Sequence, residues 1–178
     1  MGALRFKQDP MGEFQNNDKK HAAPPWASLA ELVEASLRLE DSQPDQETKR
    51  WIDLLIAPGS SLGGARPKAS VLDKQKNLWI AKFPSHSDDV DKGRWEHLAH
   101  KIALRSGIVM SESKSLTFGN RHHTFLTKRF DRSASQSRIH FASAMTLLGY
   151  TDGNGSDGAS YLNIAEFIAA HGAAFARV

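Results

Sequence analysis

Lys82 is the residue whose position is hardest to explain without an anion. It lies in Leu78-Trp79-Ile80-Ala81-Lys82-Phe83, an apolar run that reads as a strand. A period of two puts Leu78, Ile80 and Lys82 on one face, with the lysine in line with two core-directed side chains. Burying an unpaired ammonium is costly, so Lys82 calls for an anionic partner. The plain alternative is an edge lysine that snorkels to water. Upstream lies Gly59-Ser60-Ser61-Leu62-Gly63-Gly64-Ala65-Arg66-Pro67-Lys68. A small-residue loop of this kind offers backbone N–H groups. Together with a strand lysine it supplies what the phosphates of a nucleoside triphosphate require. Alone the loop fits no common template. Ala65 and Arg66 stand where the triphosphatase loop has Lys and Ser/Thr, and Ser61 takes the second glycine of the dinucleotide fingerprint. An ordinary glycine turn remains open.

Three further groups bear on chemistry. Glu96 sits one position off the apolar stripe of the next helix and can turn back toward the sheet. A strand lysine held by a helix glutamate orients nucleotide phosphates in kinases, whereas the bland reading is a solvated residue. Lys128-Arg129-Phe130-Asp131-Arg132 reads as a strand end whose backbone can meet an adenine edge, with Phe130 against the ring and Asp131 near a ribose. Its alternative is a surface pair of Asp131 with Arg129 or Arg132, worth little. Asp152-Gly153-Asn154-Gly155-Ser156-Asp157-Gly158 imitates a calcium loop but has Asp157 at the glycine position and Asn163 at the glutamate position, so a solvated turn is the better reading. His97, His100, His122 and His123 lack a third ligand at metal spacing and read as surface histidines.

The elements that must position these residues follow from periodicity. Residues 1–27 read as loop, broken by Pro10, Gly12, Pro24 and Pro25. Ser28 reads as an N-cap with Glu31 as its capping-box partner, opening a helix over 28–40 with Leu29, Leu32, Val33, Ser36 and Leu37 inward. A second short helix through Ile52 and Leu55 runs to Pro58. Residues 68–72 and 78–83 form an antiparallel hairpin around a polar turn. The apolar stripe Trp95, Leu98, Ala99, Ile102 and Ala103 predicts a helix over 91–106 that Gly107 ends. Strands at 116–118 and 124–130, a helix over 141–148 and a last helix capped by Ser160 complete an α+β pattern.

The bulk numbers exclude several classes. The chain has 178 residues, enough for a real core. Its net charge of +3 comes from scattered basic residues, so direct nucleic-acid binding is not expected. Cysteine is absent, which removes disulfides and thiolate zinc. Neither a signal peptide nor a membrane-spanning run is apparent, so a cytoplasmic location is expected.

Taken in order, these motifs resemble the HipA family of bacterial toxin kinases. The resemblance rests on residues 59–69, Trp79-Ile80-Ala81-Lys82-Phe83-Pro84-Ser85, Trp95-Glu96, residues 128–132 and Arg138-Ile139-His140, with Met1-Gly2-Ala3-Leu4-Arg5-Phe6 and residues 160–165 similar as well. It implies a protein-kinase-like nucleotide lobe, with a small antiparallel sheet and flanking helices. It further implies ATP and Mg²⁺ as cofactors, serine on a protein as substrate, and a DNA-binding antitoxin as partner. Carried onto this chain, Ser61, Leu62, Gly63, Gly64, Ala65, Arg66 and Lys68 belong to the nucleotide loop and Lys82 contacts phosphate. Lys128 to Phe130 form the hinge and Asp131 lies by the ribose. Ser61 matches the family's inhibitory phosphorylation serine. A phosphate there, about two negative charges, would eject the loop and block ATP.

The resemblance also implies departures. The family's N-terminal β-rich subdomain would precede Met1. Its catalytic aspartate and metal-binding residues would follow the helix at Ser160, so no catalytic or metal residue is assigned. Residues 173–178 do not resemble the family. The expected divisions are 1–58 (loop and helix), 59–132 (nucleotide lobe) and 133–178 (a helical start of the second lobe). The expected function is the ATP-binding half of a toxin kinase, inactive as this chain alone. The alternative is an interaction module that binds a repressor-like antitoxin or complements a separate catalytic half. A third alternative is a decaying gene product with no selected function, which exposed core would make aggregation-prone or oligomeric.

Overall fold

The structure is a computed structural model, and it describes residues 7–13, 23, 25–40, 66–119, 121–151 and 158–172. The glycine-rich residues 59–65, the helix expected near Ile52 and the turn 152–157 lie outside the described residues.

The chain is α+β, built on a four-stranded antiparallel sheet. Strands β1 (Lys68–Leu72), β2 (Leu78–Lys82), β3 (Ser113–Leu116) and β4 (Thr124–Lys128) stand in the order β1-β2-β4-β3. The first hairpin matches the expected boundaries, and Asp73 fixes its turn. Its carboxylate accepts from the Asn77 backbone N–H, the Asn77 amide and the Trp79 indole. β3 begins earlier than expected, because Ser113, Lys114 and Ser115 are polar strand residues with no apolar alternation to reveal them.

Helix α1 (Leu29–Glu40) covers one face of the sheet. Ser28 is not its cap. A 3-10 turn over Trp26–Ser28 runs straight into the helix, so the chain is already helical where the cap was expected. Leu29, Leu32 and Val33 of α1 pack with Ala69, Val71, Trp79, Ala81, Phe83 and Leu126 into the core. Trp26 meets Trp79 edge to face at 5.3 Å, and the Lys114 ammonium lies over both rings.

This core corrects the expected face of β2. Trp79, Ala81 and Phe83 are the buried residues, while Leu78, Ile80 and Lys82 face the other way and are half-buried. The register places Lys68, Lys82, Phe125 and Ser115 side by side on that second face.

Helix α2 (Lys92–Arg105) lies against the second face, in contact with β3 and β4. Its orientation reverses the expectation. Glu96, His97 and the buried His100 turn toward the sheet, while Trp95, Leu98 and Ile102 are exposed. The helix ends at Gly107 as expected. The glycine has φ +80°, and the Gly107 and Ile108 N–H groups return to Leu104 and Ala103 carbonyls. Beyond β4, α3 (Ala144–Leu147) is far shorter than the helix expected there, and α4 (Tyr161–His171) opens at Ser160 in a capping box with Asn163. Among the described residues no helix is long and apolar enough to cross a membrane.

Candidate nucleotide site on the polar sheet face

The site begins with what holds α2 in place. Asp91 caps the helix by accepting from the Arg94 N–H at 3.1 Å. The same carboxylate accepts the His123 backbone N–H at 3.0 Å and the His123 Nδ1–H at 2.5 Å, tying the helix start to the entry of β4. Burial alone would raise the Asp91 carboxyl, but these hydrogen bonds outweigh it and hold it below the usual carboxylate range. Gly93 lets the two backbones approach. A Cβ there would stand 2.0 Å from the His123 carbonyl oxygen.

The next helical turn presents Glu96, and its Oε1 pairs with the Lys82 ammonium. Lys82 also lies 5.6 Å from the centre of the Phe125 ring. Directly across the hairpin stands Lys68, the register partner of Lys82. Like charges facing each other across a strand pair are unfavourable. Burial, then the charges of Lys82 and Arg66, push the Lys68 ammonium below its ordinary range, although Glu96 acts the other way.

Arg66 marks the point where residues 59–65 pass into described structure, and its guanidinium is committed inward. It donates twice to Asp88, at 2.7 Å to each oxygen, and once to the Phe83 carbonyl at 2.9 Å. The Ser85 N–H and the Lys92 ammonium complete the ring around Asp88. Burial would raise that carboxyl, yet Arg66 and these donors drive it far below the usual range. Arg66 therefore anchors the end of the loop.

Behind Glu96 runs a chain of polar groups. His100 Nε2 lies 2.6 Å from the Ser111 carbonyl, which only accepts, so this nitrogen carries the hydrogen. In the neutral ring Nδ1 is then the acceptor for the Ser113 hydroxyl, 3.0 Å away, and His97 Nδ1 donates to the same oxygen. Burial first, then the charges of Lys101 and His100, keep the His97 imidazole below its ordinary range. These are inward groups, not the surface histidines the sequence suggested, and among the described residues no metal-ligating cluster forms.

The strand end after β4 leaves the sheet as expected. Lys128 still bonds to Glu112, Arg129 to Leu78, and then the backbone of Phe130 has no partner among the described residues. The Phe130 ring is exposed and meets Phe141 at 4.8 Å. Asp131 is buried, unlike the surface pair considered from sequence. Arg129 grips both its oxygens, at 2.7 and 2.5 Å, and Arg132 adds a contact at 2.9 Å. Burial would raise this carboxyl, and the two guanidiniums hold it below the usual range.

Of the residues singled out from sequence, the structure gathers Lys68, Lys82 and Glu96 on one face. Arg66 stands at the edge of that group, and Lys128, Phe130 and Asp131 occupy the strand exit at the end of β4. Ser61, Leu62, Gly63, Gly64 and Ala65 lie outside the described residues. Sequence reasoning missed Asp88, Asp91 and Gly93, and it read His123 as a surface histidine, whereas the structure ties it to Asp91. Only Asp91 carried a local sign, as an N-cap residue before a helix.

No curated protein and no solved structure matches the chain. One family model does match, the HipA-like C-terminal domain, and it covers residues 60–177. The match includes most of residues 173–178, which the sequence reading set outside the family. It also spans the whole sheet, α2 and the strand exit just described. The chain belongs to the HipA-like C-terminal domain family.

Proposed function

We propose that this chain is the ATP-binding half of a HipA-like toxin serine/threonine kinase from a toxin–antitoxin system. The observation that carries the reading is the cation pair Lys68 and Lys82, register partners facing each other on one sheet face, with Glu96 directing Lys82. Two ammonium groups facing each other across a strand pair repel, an anion between them relieves that repulsion, and the triphosphate of ATP is such an anion. Bound ATP supplies the phosphoryl group. Lys82 neutralises charge on the phosphates while Glu96 fixes its direction, and Lys68 adds a second cation from the neighbouring strand. Ser61, Leu62, Gly63, Gly64 and Ala65 are assigned to the nucleotide loop from the family alone, and Arg66, which follows them in sequence, is anchored on Asp88. The backbone of Phe130, without a partner among the described residues, meets the base, Lys128 precedes it in the hinge, and Asp131 sets the segment's course through Arg129 and Arg132. Phosphorylation of Ser61 would block the site by adding anionic charge where the nucleotide phosphates sit.

The reading concerns binding and assigns no base or Mg²⁺ ligand in this chain. A protein substrate and a DNA-binding antitoxin are its proposed partners, from the family alone. Thermal unfolding with and without MgATP tests it. At five times the dissociation constant, binding adds about 1 kcal/mol, equivalent to a rise of about 2–4 °C for a domain of this size. Lys82→Ala should abolish the rise. A shift of the same size in Lys82→Ala, or none in the parent chain at millimolar MgATP, would sink the proposal.

A further inference from the structure

The outward side of α2 carries an apolar stripe that the fold leaves uncovered. Trp95 is 62% exposed, Leu98 45% and Ile102 56%, and the three follow one another at helical spacing. Ile108 and Val109 continue the exposed apolar surface past the end of the helix. A stripe of this kind normally marks the buried side of a helix. Here the buried side is taken by Gly93, Glu96, His97 and His100.

Charge is arranged with the same regularity. Arg94, Lys101 and Arg105 are exposed and fall along a single flank of the stripe. None of them makes an ion pair among the described residues. The helix's one carboxylate, Glu96, is on the far side with Lys82. The other flank is formed by Lys92, paired with Asp88, and by Ala99 and Ala103, small residues that allow close approach.

We infer that the outer face of α2 docks an amphipathic protein helix whose apolar stripe is edged by Asp or Glu on one side. Trp95, Leu98 and Ile102 would seat its apolar anchors, and Arg94, Lys101 and Arg105 would meet its acidic edge. Lys92, on the other flank, is held by Asp88, so the cations without an ion pair among the described residues stand on one flank, and this decides between this occupant and a lipid surface. A helix lying in a membrane interface gains from cations on both flanks, because both meet headgroups. A flank of three cations with no ion pair among the described residues, opposite a flank where Ala99 and Ala103 follow the paired Lys92, fits one neighbouring helix. The surface stands apart from the lysine-lined face, so it does not depend on nucleotide binding.

The experiment uses the whole chain and a labelled helical peptide with leucines at helical spacing and glutamates along one flank. A second peptide has lysines in place of the glutamates. Binding is read by fluorescence anisotropy. The glutamate peptide should bind saturably, and Ile102→Glu should weaken it at least about tenfold, as loss of a central anchor does. The combined Arg94→Glu, Lys101→Glu and Arg105→Glu variant should exchange its preference for the lysine peptide. All these positions are exposed, and unchanged melting confirms that the variants fold. Equal binding of both peptides, or binding of neither, overturns the inference. So does Ile102-dependent binding to phosphatidylserine vesicles, which assigns the face to membrane. Self-association in sedimentation that Ile102→Glu abolishes also overturns it, because the occupant is then a second copy.

Discussion

The two faces of the sheet are made from alternate residues of the same strands and do opposite work. The α1 face uses Ala69, Val71, Trp79, Ala81, Phe83 and Leu126, closed by Leu29, Leu32 and Val33, and charge reaches it at Lys114, which lies over two indoles, and at Asp73, which accepts from the Trp79 indole. The α2 face alternates with it and carries Lys68, Lys82, Ser113 and Ser115, covered by a helix that turns Glu96, His97 and His100 inward. Apolar burial there is thin, so orientation comes from directed hydrogen bonds and ion pairs. The first face provides the stability against which the second can hold like charges together. Its α1 half lies upstream of the residues matched by the family model.

The comparison breaks most visibly at Trp79. Trp79→Ala removes a buried indole, its contact with Trp26 and its hydrogen bond to Asp73. The expected loss is about 3–5 kcal/mol, a large part of a domain's stability, read as a collapsed or non-cooperative melt. Lys82→Ala on the opposite face removes a pair whose side chains are 34% and 38% exposed. Such a pair contributes about 0–1 kcal/mol, so the melt should barely move. Equal damage from both substitutions would show that the lysine face is structural, and the division between faces would fall.

Between these extremes stands Asp88, whose side chain is 1% exposed inside the Arg66 clamp. Asp88→Asn should cost about 1–3 kcal/mol, because donors aimed at a carboxylate lose their acceptor charge. The pH dependence has a definite sign. Asp88, Asp91 and Asp131 all sit below their ordinary values when folded. Their contribution is therefore present above the unfolded value, about pH 4, and is lost as pH falls toward the folded values. Melting measured across the acid range should drop steeply below that point in the parent chain. The slope should be shallower in Asp88→Asn, and parallel curves would remove Asp88 from the account.

What could be read in advance follows the same division. The hairpin, the pairing of Lys82 with Glu96, the helix stop at Gly107 and the α+β class rest on local patterns, and each is found in the structure. The facing of β2 was not legible, because Leu78, Trp79, Ile80, Ala81 and Phe83 are all apolar and either alternation looks buried. Only the packing of α1 selects Trp79. The reversal of α2 has a related cause. An apolar stripe points inward by default, but the sheet face under α2 is polar, and Glu96, His97 and His100 match it better than Trp95 does. Arg66 and Asp88 meet across a separation in sequence that no local pattern encodes. Residues 59–65 lie outside the described residues.

Phe130 has a small expected effect on stability and separates folding from binding most cleanly. Its ring is 63% exposed and rests on Phe141 alone among the ring contacts of the described residues. Phe130→Ala should therefore shift stability by no more than about 0.5–1.5 kcal/mol, the range for a single aromatic pair. The backbone groups of Phe130 stay in place, anchored by Asp131 between Arg129 and Arg132. If the strand exit meets the base of ATP, the substitution removes an apolar surface beside it and should reduce the MgATP-dependent rise in melting temperature without abolishing it. Lys82→Ala should abolish that rise while leaving the strand exit intact. A Phe130→Ala chain that melts far below the parent would move this segment from the site to the core.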